Sequence, residues 1–205
     1  MGDSNMKAAL LLIVLALALP LTAFADGIVL TNQGGDIAIS NAGISSIGSQ
    51  LKSFNGIVAP SGHSMGSVRF STGALISGSL AAGGTLSSTG SSFVVIGNGN
   101  YGQPKGTIFS GSFLGPIIWT LTSAPGVKNL TFTLSGTIQG MLFDGRMVSG
   151  TTVQNIYTTN GQLSQGIGHI KVGSTPLAVP EPGTLSMFGT GLVAAAGMFR
   201  RKLVG

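Results

Sequence analysis

The sequence predicts a mainly β protein: an antiparallel, β-sandwich-like body over residues 26–175, with a β-solenoid as the alternative. A signal helix precedes the body and a transmembrane helix follows it. Three observations predict this. Apolar residues alternate with Ser, Thr and Asn over runs of four or more positions, the period of a strand with one wet face. Gly, Asn, Pro and Asp-Gly punctuate those runs at short intervals. Uncharged apolar stretches stand near both ends, each with cations at one flank.

At the N-terminal end, Lys7 is followed by the uncharged run Ala8 to Leu19, then Pro20, then Ala23-Phe24-Ala25 before Asp26. A charged start, an apolar run of twelve residues and an A-x-A site make a secretory signal peptide over residues 1–25. The run is too short for a bilayer core of about 30 Å. Cleavage after Ala25 is expected, which makes signal peptidase and the general secretion machinery partners and places Ala23, Ala25 and Asp26 at the cut.

Within the body, strands are expected at Ile28 to Leu30, Ile37 to Ile39, Val68 to Ser71, Phe93 to Ile96, Thr107 to Ser110 and Ile117 to Thr122. The clearest alternation follows: Leu130, Phe132 and Leu134 share one face, Thr131, Thr133 and Ser135 the other, and Ile138 and Leu142 continue the apolar parity. Gly136 and Gly140 are expected bends or bulges of that strand. Asp144-Gly145 suits a tight turn into a strand at Met147 to Thr158; Asn160-Gly161 is a second turn, and His169 to Val172 alternates again. These last three strands read as a β-meander. Trp119, among Ile117, Ile118 and Leu121, reads as core.

Composition removes several classes of function. Of the cations behind the formal charge of +5, Lys7 lies at one end and Arg200, Arg201 and Lys202 at the other, while the six of the body, against three aspartates, stand singly with no interleaved aromatics, so nucleic acid is not an expected partner. No cysteine is present, which excludes disulfides, thiolate metal sites and a Cys nucleophile. His63 and His169 are far apart and the aspartates scattered, so no metal and no cofactor are expected. Gly83-Gly84 and Gly97-Asn98-Gly99-Asn100 read as loops that open no helix, unlike a phosphate cradle.

One catalytic pattern stands out. Gly62-His63-Ser64-Met65-Gly66 fits G-x-S-x-G, and Asp144 and His169 follow in the order of an α/β-hydrolase triad. The nucleophile elbow needs a helix after the serine, whereas Ser67 to Ser71 continues as a strand. Asp144 is explained by its turn and His169 by the polar face of a strand, so the body is expected not to be an enzyme, with a serine hydrolase as an alternative.

Near the C-terminus, Val179-Pro180-Glu181-Pro182 precedes seventeen uncharged residues, Gly183 to Phe199, and then Arg200-Arg201-Lys202. As a helix the uncharged stretch would reach about 25 Å, just under the hydrocarbon thickness. The cations would stop it on the cytoplasmic side, within a tail of residues 200–205. Residues 176–182 form a linker whose prolines keep it extended.

This layout resembles the PEP-CTERM sorting signal of exported Gram-negative bacterial proteins: Pro180, Glu181 and Pro182 match its box, Gly183 to Phe199 its helix, and Arg200, Arg201 and Lys202 its basic end. The resemblance implies an exosortase as processing partner, transient residence in the inner membrane, and delivery to the cell surface or matrix. It also implies extracellular polysaccharide as a further partner. The module also carries the label of an ice-binding protein C-terminal domain, which by itself does not imply ice binding. Thr131, Thr133 and Thr137 share one sheet face, a row broken by Ser135, and a polysaccharide- or ice-binding module using that face is the other alternative.

Overall fold

Phe132, Leu134, Ile138 and Leu142 are buried along one face of a strand spanning Leu130–Leu142, and Thr137 and Met141 are exposed on the other, as alternation requires. The computed structural model describes residues 27–123, 128–159, 163 and 166–178, all within one compact unit, Asp26–Val179. The predicted signal helix, the Asn160-Gly161 turn and the predicted transmembrane helix lie outside the described residues. No α-helix occurs among the described residues.

Twelve strands follow one another: β1 (Gly27–Gln33), β2 (Asp36–Ser40), β3 (Gly43–Phe54), β4 (Ile57–Val58), β5 (Gly66–Ser71), β6 (Leu75–Ser79), β7 (Gly83–Leu86), β8 (Ser92–Asn98), β9 (Lys105–Leu121), β10 (Leu130–Leu142), β11 (Met147–Thr158) and β12 (Ile167–Ala178). Both β1 and β2 lie between β12 and β3, and Asn32↔Gly173 and Asp36↔His169 keep one register. They act as a single strand interrupted at Gly34 and Gly35, whose φ values of 70° and 88° only glycine adopts cheaply.

The sheet is antiparallel, but it is neither a sandwich nor a solenoid. Neighbour order β10-β11-β12-β1-β3-β5-β8-β9 returns to β10 along Phe132↔Leu121 to Leu142↔Phe109, closing an eight-stranded barrel. Apart from the inserted β6–β7 hairpin and the short β4, neighbours in the wall are neighbours in sequence, which makes the barrel up-and-down. Inward-apolar alternation is the same in a sandwich and in a barrel; pairing of β9 with β10 makes the difference, since it removes two free edges.

The two strands expected at 107–110 and 117–122 are one, β9. Where β10 takes two steps, from Ser135 to Thr137, β9 takes four, from Leu114 to Ile118, so Gly115-Pro116 forms a bulge opposite Gly136. At that bulge β9 changes its second partner, from β8 along Lys105 to Gly111 to β7 along Ile117 to Thr120. The β6–β7 hairpin thereby covers an edge that the shorter β8 leaves open. Gly83 and Gly84 belong to β7 and not to a loop.

The interior is filled by side chains. Phe70 stacks on Phe93 at 6.2 Å, and Phe109 and Phe113 meet Phe93 edge-on, each at 6.1 Å. Gly136 and Gly140 make room for these rings: a Cβ on Gly136 would come within 2.8 Å of Phe113 Cδ1, and one on Gly140 within 2.8 Å of Phe109 Cζ. Gly140 is thus a spacer in an unbroken ladder and not the bend the sequence suggests. Trp119 is buried as expected, stacked on Phe132 at 4.4 Å, with its indole N–H donating to the Leu80 carbonyl at 2.8 Å.

Candidate functional site

Gly27 pairs with Ala178, so β1 begins and β12 finishes side by side at one end of the barrel. The β3–β5, β8–β9 and β10–β11 connections share that end. The opposite end carries the β2–β3, β5–β8, β9–β10 and β11–β12 connections. The barrel wall therefore stops one residue after Asp26 and two before Pro180. β12 runs to Ala178, three residues into the stretch 176–182 that the sequence assigns to a linker. Ala23, Ala25 and Asp26, the box Pro180, Glu181 and Pro182, and the basic stop Arg200, Arg201 and Lys202 lie outside the described residues.

The G-x-S-x-G segment has a packing explanation. Met65 is fully buried and bonds through its backbone to Leu51 and Asn98, while Gly66 opens β5 so close to the Ile96 carbonyl that a Cβ there would overlap it. Ser64 accepts from Asn98 Nδ2 through its carbonyl at 2.8 Å, and a strand follows it as the sequence predicts.

Asp144 is occupied by its own turn. It accepts from the Arg146 backbone N–H at 3.1 Å and from Arg146 Nε at 2.7 Å. These contacts, the backbone bond foremost, hold its carboxyl below the ordinary aspartate value. His169 lies at the start of β12, at the opposite end from Ser64 and Asp144, and its Nδ1 is 2.9 Å from Asp36 Oδ1. The fold does not bring the three together.

Thr131, Thr133 and Thr137 do share the outer face of β10, with Ser135 between them. Thr133 bonds to Asn155 at 3.2 Å, and Thr131 stands across from Tyr157. Tyr157 in turn stands across from His169, their rings 5.5 Å apart, and His169 across from Asp36. One row of the outer wall thus reads Thr131, Tyr157, His169, Asp36: an aromatic face beside hydroxyl, imidazole and carboxylate groups.

A polar cluster inside the barrel escaped the sequence reading. Asn32 and Gln154 face each other through reciprocal amide bonds, Asn32 Nδ2 to Gln154 Oε1 at 2.9 Å and Gln154 Nε2 to Asn32 Oδ1 at 3.3 Å. Asn32 Nδ2 also donates to Ser49 Oγ at 2.8 Å, and Gln154 Nε2 to Thr152 Oγ1 at 2.9 Å. Thr152 is bonded to Thr175 at 2.8 Å. All five residues are buried. A Cβ on Gly173 would overlap both amide oxygens, so a glycine is needed there. Parity could have found them: Ile28 and Leu30 point Asn32 inward, and Val148 and Ile156 do the same for Thr152 and Gln154. Every amide hydrogen of the pair has a partner, which leaves the cluster a role in packing specificity.

Residues 178–202 match the family model of the PEP-CTERM protein-sorting motif. No curated protein and no solved structure matches the chain. The chain carries this sorting motif, which supports export through the membrane toward the cell surface with an exosortase as processing partner.

Proposed function

We propose that the chain is a non-catalytic structural or interaction protein of the bacterial cell surface or extracellular matrix, exported from a Gram-negative cell, anchored transiently by residues 183–199, and processed at Pro180 to Pro182. The observation that carries this reading is the position of the seam. The sorting motif begins at Ala178, the last residue of β12. A cut in the box would remove no strand of the barrel.

The physical logic is simple. A marginal apolar helix holds the protein at the inner membrane, and the two prolines of the box keep it extended, the form a protease cleft accepts. Glu181 is a substrate charge in this scheme, and the catalysis belongs to the enzyme that reads it.

Intact mass of the protein recovered from the cell surface tests both processing steps. A species starting at Asp26 and ending near Pro182 is expected. Persistence of the whole tail in membranes of an exosortase-bearing host would mean a permanent anchor instead. Absence of catalysis is checked separately: a fluorophosphonate probe should leave the barrel unlabelled, and labelling lost in Ser64→Ala would establish a serine hydrolase.

A second reading has one observation in its favour. The row Thr131, Tyr157, His169, Asp36 offers a ring for stacking beside several hydrogen-bonding groups, as a polysaccharide-binding wall would. Glycan-array binding abolished by Tyr157→Ala would support it. Ice binding is less favoured, because the Thr face is curved and mixed with Asn, Val and Tyr.

A further inference from the structure

We infer that the barrel end from which both termini leave is a docking surface for an anionic lipid bilayer, used while the tail is still in the membrane. The inference rests on the tethered stage of the proposed sorting.

Three observations carry it. The first is a set of exposed apolar side chains on the connections of that end and the strand ends beside them. Ile57 and Val58 lie between β3 and β5, Tyr101 between β8 and β9, and Phe143 between β10 and β11, with Met141 and Met147 paired beside it. Val58 is 68% and Phe143 56% exposed. Aromatic, Met and branched aliphatic side chains on loop tips are the residues that partition into a headgroup layer.

The second is charge. Lys52, Lys105 and Arg146 stand at the same end, where Asp144 is the one anion among the described residues and is paired with Arg146. Asp26, one residue before β1 in sequence, would carry its own α-amino charge after signal removal, and Glu181 of the box adds one anion against these three cations. Asp36 is at the other end. An apolar rim with surplus cations complements anionic headgroups.

The third is reach. Five Cα–Cα steps lead from Ala178 to Gly183, where the uncharged stretch begins. Fully extended they span at most about 17 Å. A helix seated at Gly183 would therefore hold this end, and not the opposite one, within that distance of the lipid surface. The short tether makes contact an intramolecular event, so even weak affinity would populate it.

The barrel closes wholly between Gly27 and Ala178, so residues 26–178 form a self-contained test protein. It would be sedimented with vesicles of phosphatidylglycerol and phosphatidylethanolamine, and with phosphatidylcholine vesicles. Binding to the anionic vesicles alone is expected, falling at least tenfold in Phe143→Ser with Val58→Ser. Lys52→Gln with Lys105→Gln should weaken it and flatten its salt dependence. Ile76→Ser and Ile47→Ser, equally exposed but at the hairpin and the far end, should leave binding unchanged. Trp119 fluorescence confirms that each variant is folded.

Absence of vesicle binding, or equal loss from both sets of variants, would overturn the inference. A rim variant that slowed tail cleavage in cells, with no vesicle binding by the parent, would also overturn it and assign the rim to the processing enzyme. The two readings fail separately: normal tail removal without vesicle binding defeats only the docking surface, and vesicle binding with an uncut tail defeats only the sorting reading.

Discussion

Replacing Gln154 by Met tests the buried amide pair with little change of volume. Met matches Gln in length, so the cavity left is small. What changes is hydrogen bonding: Asn32 Oδ1 loses its donor and one Asn32 Nδ2 hydrogen loses its acceptor, while the bond to Ser49 remains. Asn32 is 1% exposed, so water does not replace what is lost. Thr152 keeps Thr175. Two orphaned groups at about 1–3 kcal/mol each give an expected loss of roughly 2–6 kcal/mol, a large part of the stability of an ordinary domain.

Adding Asn32→Leu removes those two orphans and leaves Ser49 Oγ as the one group that loses its donor, so the double variant should recover part of that loss. Gly173→Ala should resemble Gln154→Met, because its Cβ takes the space of both amide oxygens. The assay is urea unfolding of residues 26–178 followed by Trp119, the sole tryptophan, buried and stacked on Phe132. The midpoint should fall at constant slope. A cost below about 1 kcal/mol for Gln154→Met, or a double variant as costly as the two singles added, would refute the reasoning.

Trp119→Phe should cost about 2–4 kcal/mol, by emptying part of the stack on Phe132 and orphaning the Leu80 carbonyl, and hydrogen exchange should quicken selectively in the β6–β7 hairpin. The Asp144 carboxyl should titrate below the ordinary aspartate value by NMR. Because the Arg146 backbone N–H is the first cause, Arg146→Gln should keep part of that depression while losing the share due to the guanidinium. A lowered folded pKa stabilises above the unfolded value and that contribution is lost as pH falls through the folded one, so Asp144→Asn should lose a small stability advantage near neutrality that disappears in acid. Thr158→Val should raise stability by about 1 kcal/mol in thermal unfolding, since the Thr158 hydroxyl is buried without a partner among the described residues.

What the sequence made legible is what a period of two can show. β10 and β11 have the predicted bounds, and the Asp144-Gly145 turn joins them with Gly145 at a φ of 82°. β3 escaped because its inward positions include Ser46 and Ser49, and because Gly48, at a φ of 77°, adds a residue between them that breaks the parity. β6 and β7 escaped because their apolar periodicity is slight; the hairpin's anchors are the ladder to β9, buried Leu86, the bond from the Leu75 N–H to the Asn41 carbonyl and the bond from Trp119. Closure was invisible for a different reason. It depends on how far strands slide past one another, which Gly115-Pro116 adjusts and no local pattern records. The sorting signal was legible because a linear address is read by its enzyme as sequence, whereas the polar cluster joins residues as distant in sequence as Asn32 and Gln154.

Closure also bears on how such a chain survives export. With 7% of residues charged and no cysteine, the body has few lysines to guard strand edges and no disulfide to hold a sheet together. A sandwich of the same strands would present two open edges on each sheet, rich in Ser, Thr and Val and almost uncharged, ready to pair with another copy. Pairing β9 with β10 satisfies those backbone groups internally and leaves as free edges chiefly β4 and the outer side of β6, both very short. The barrel's interior is mostly apolar and filled with side chains, unlike the polar lumen of a porin-like lipid-spanning barrel. The same closure puts the first and last strands side by side, so segments cut from either end of the chain would leave from one rim. Cutting both would leave the ladder between Gly27 and Ala178 in place, which is why processing and stability are separable in this architecture.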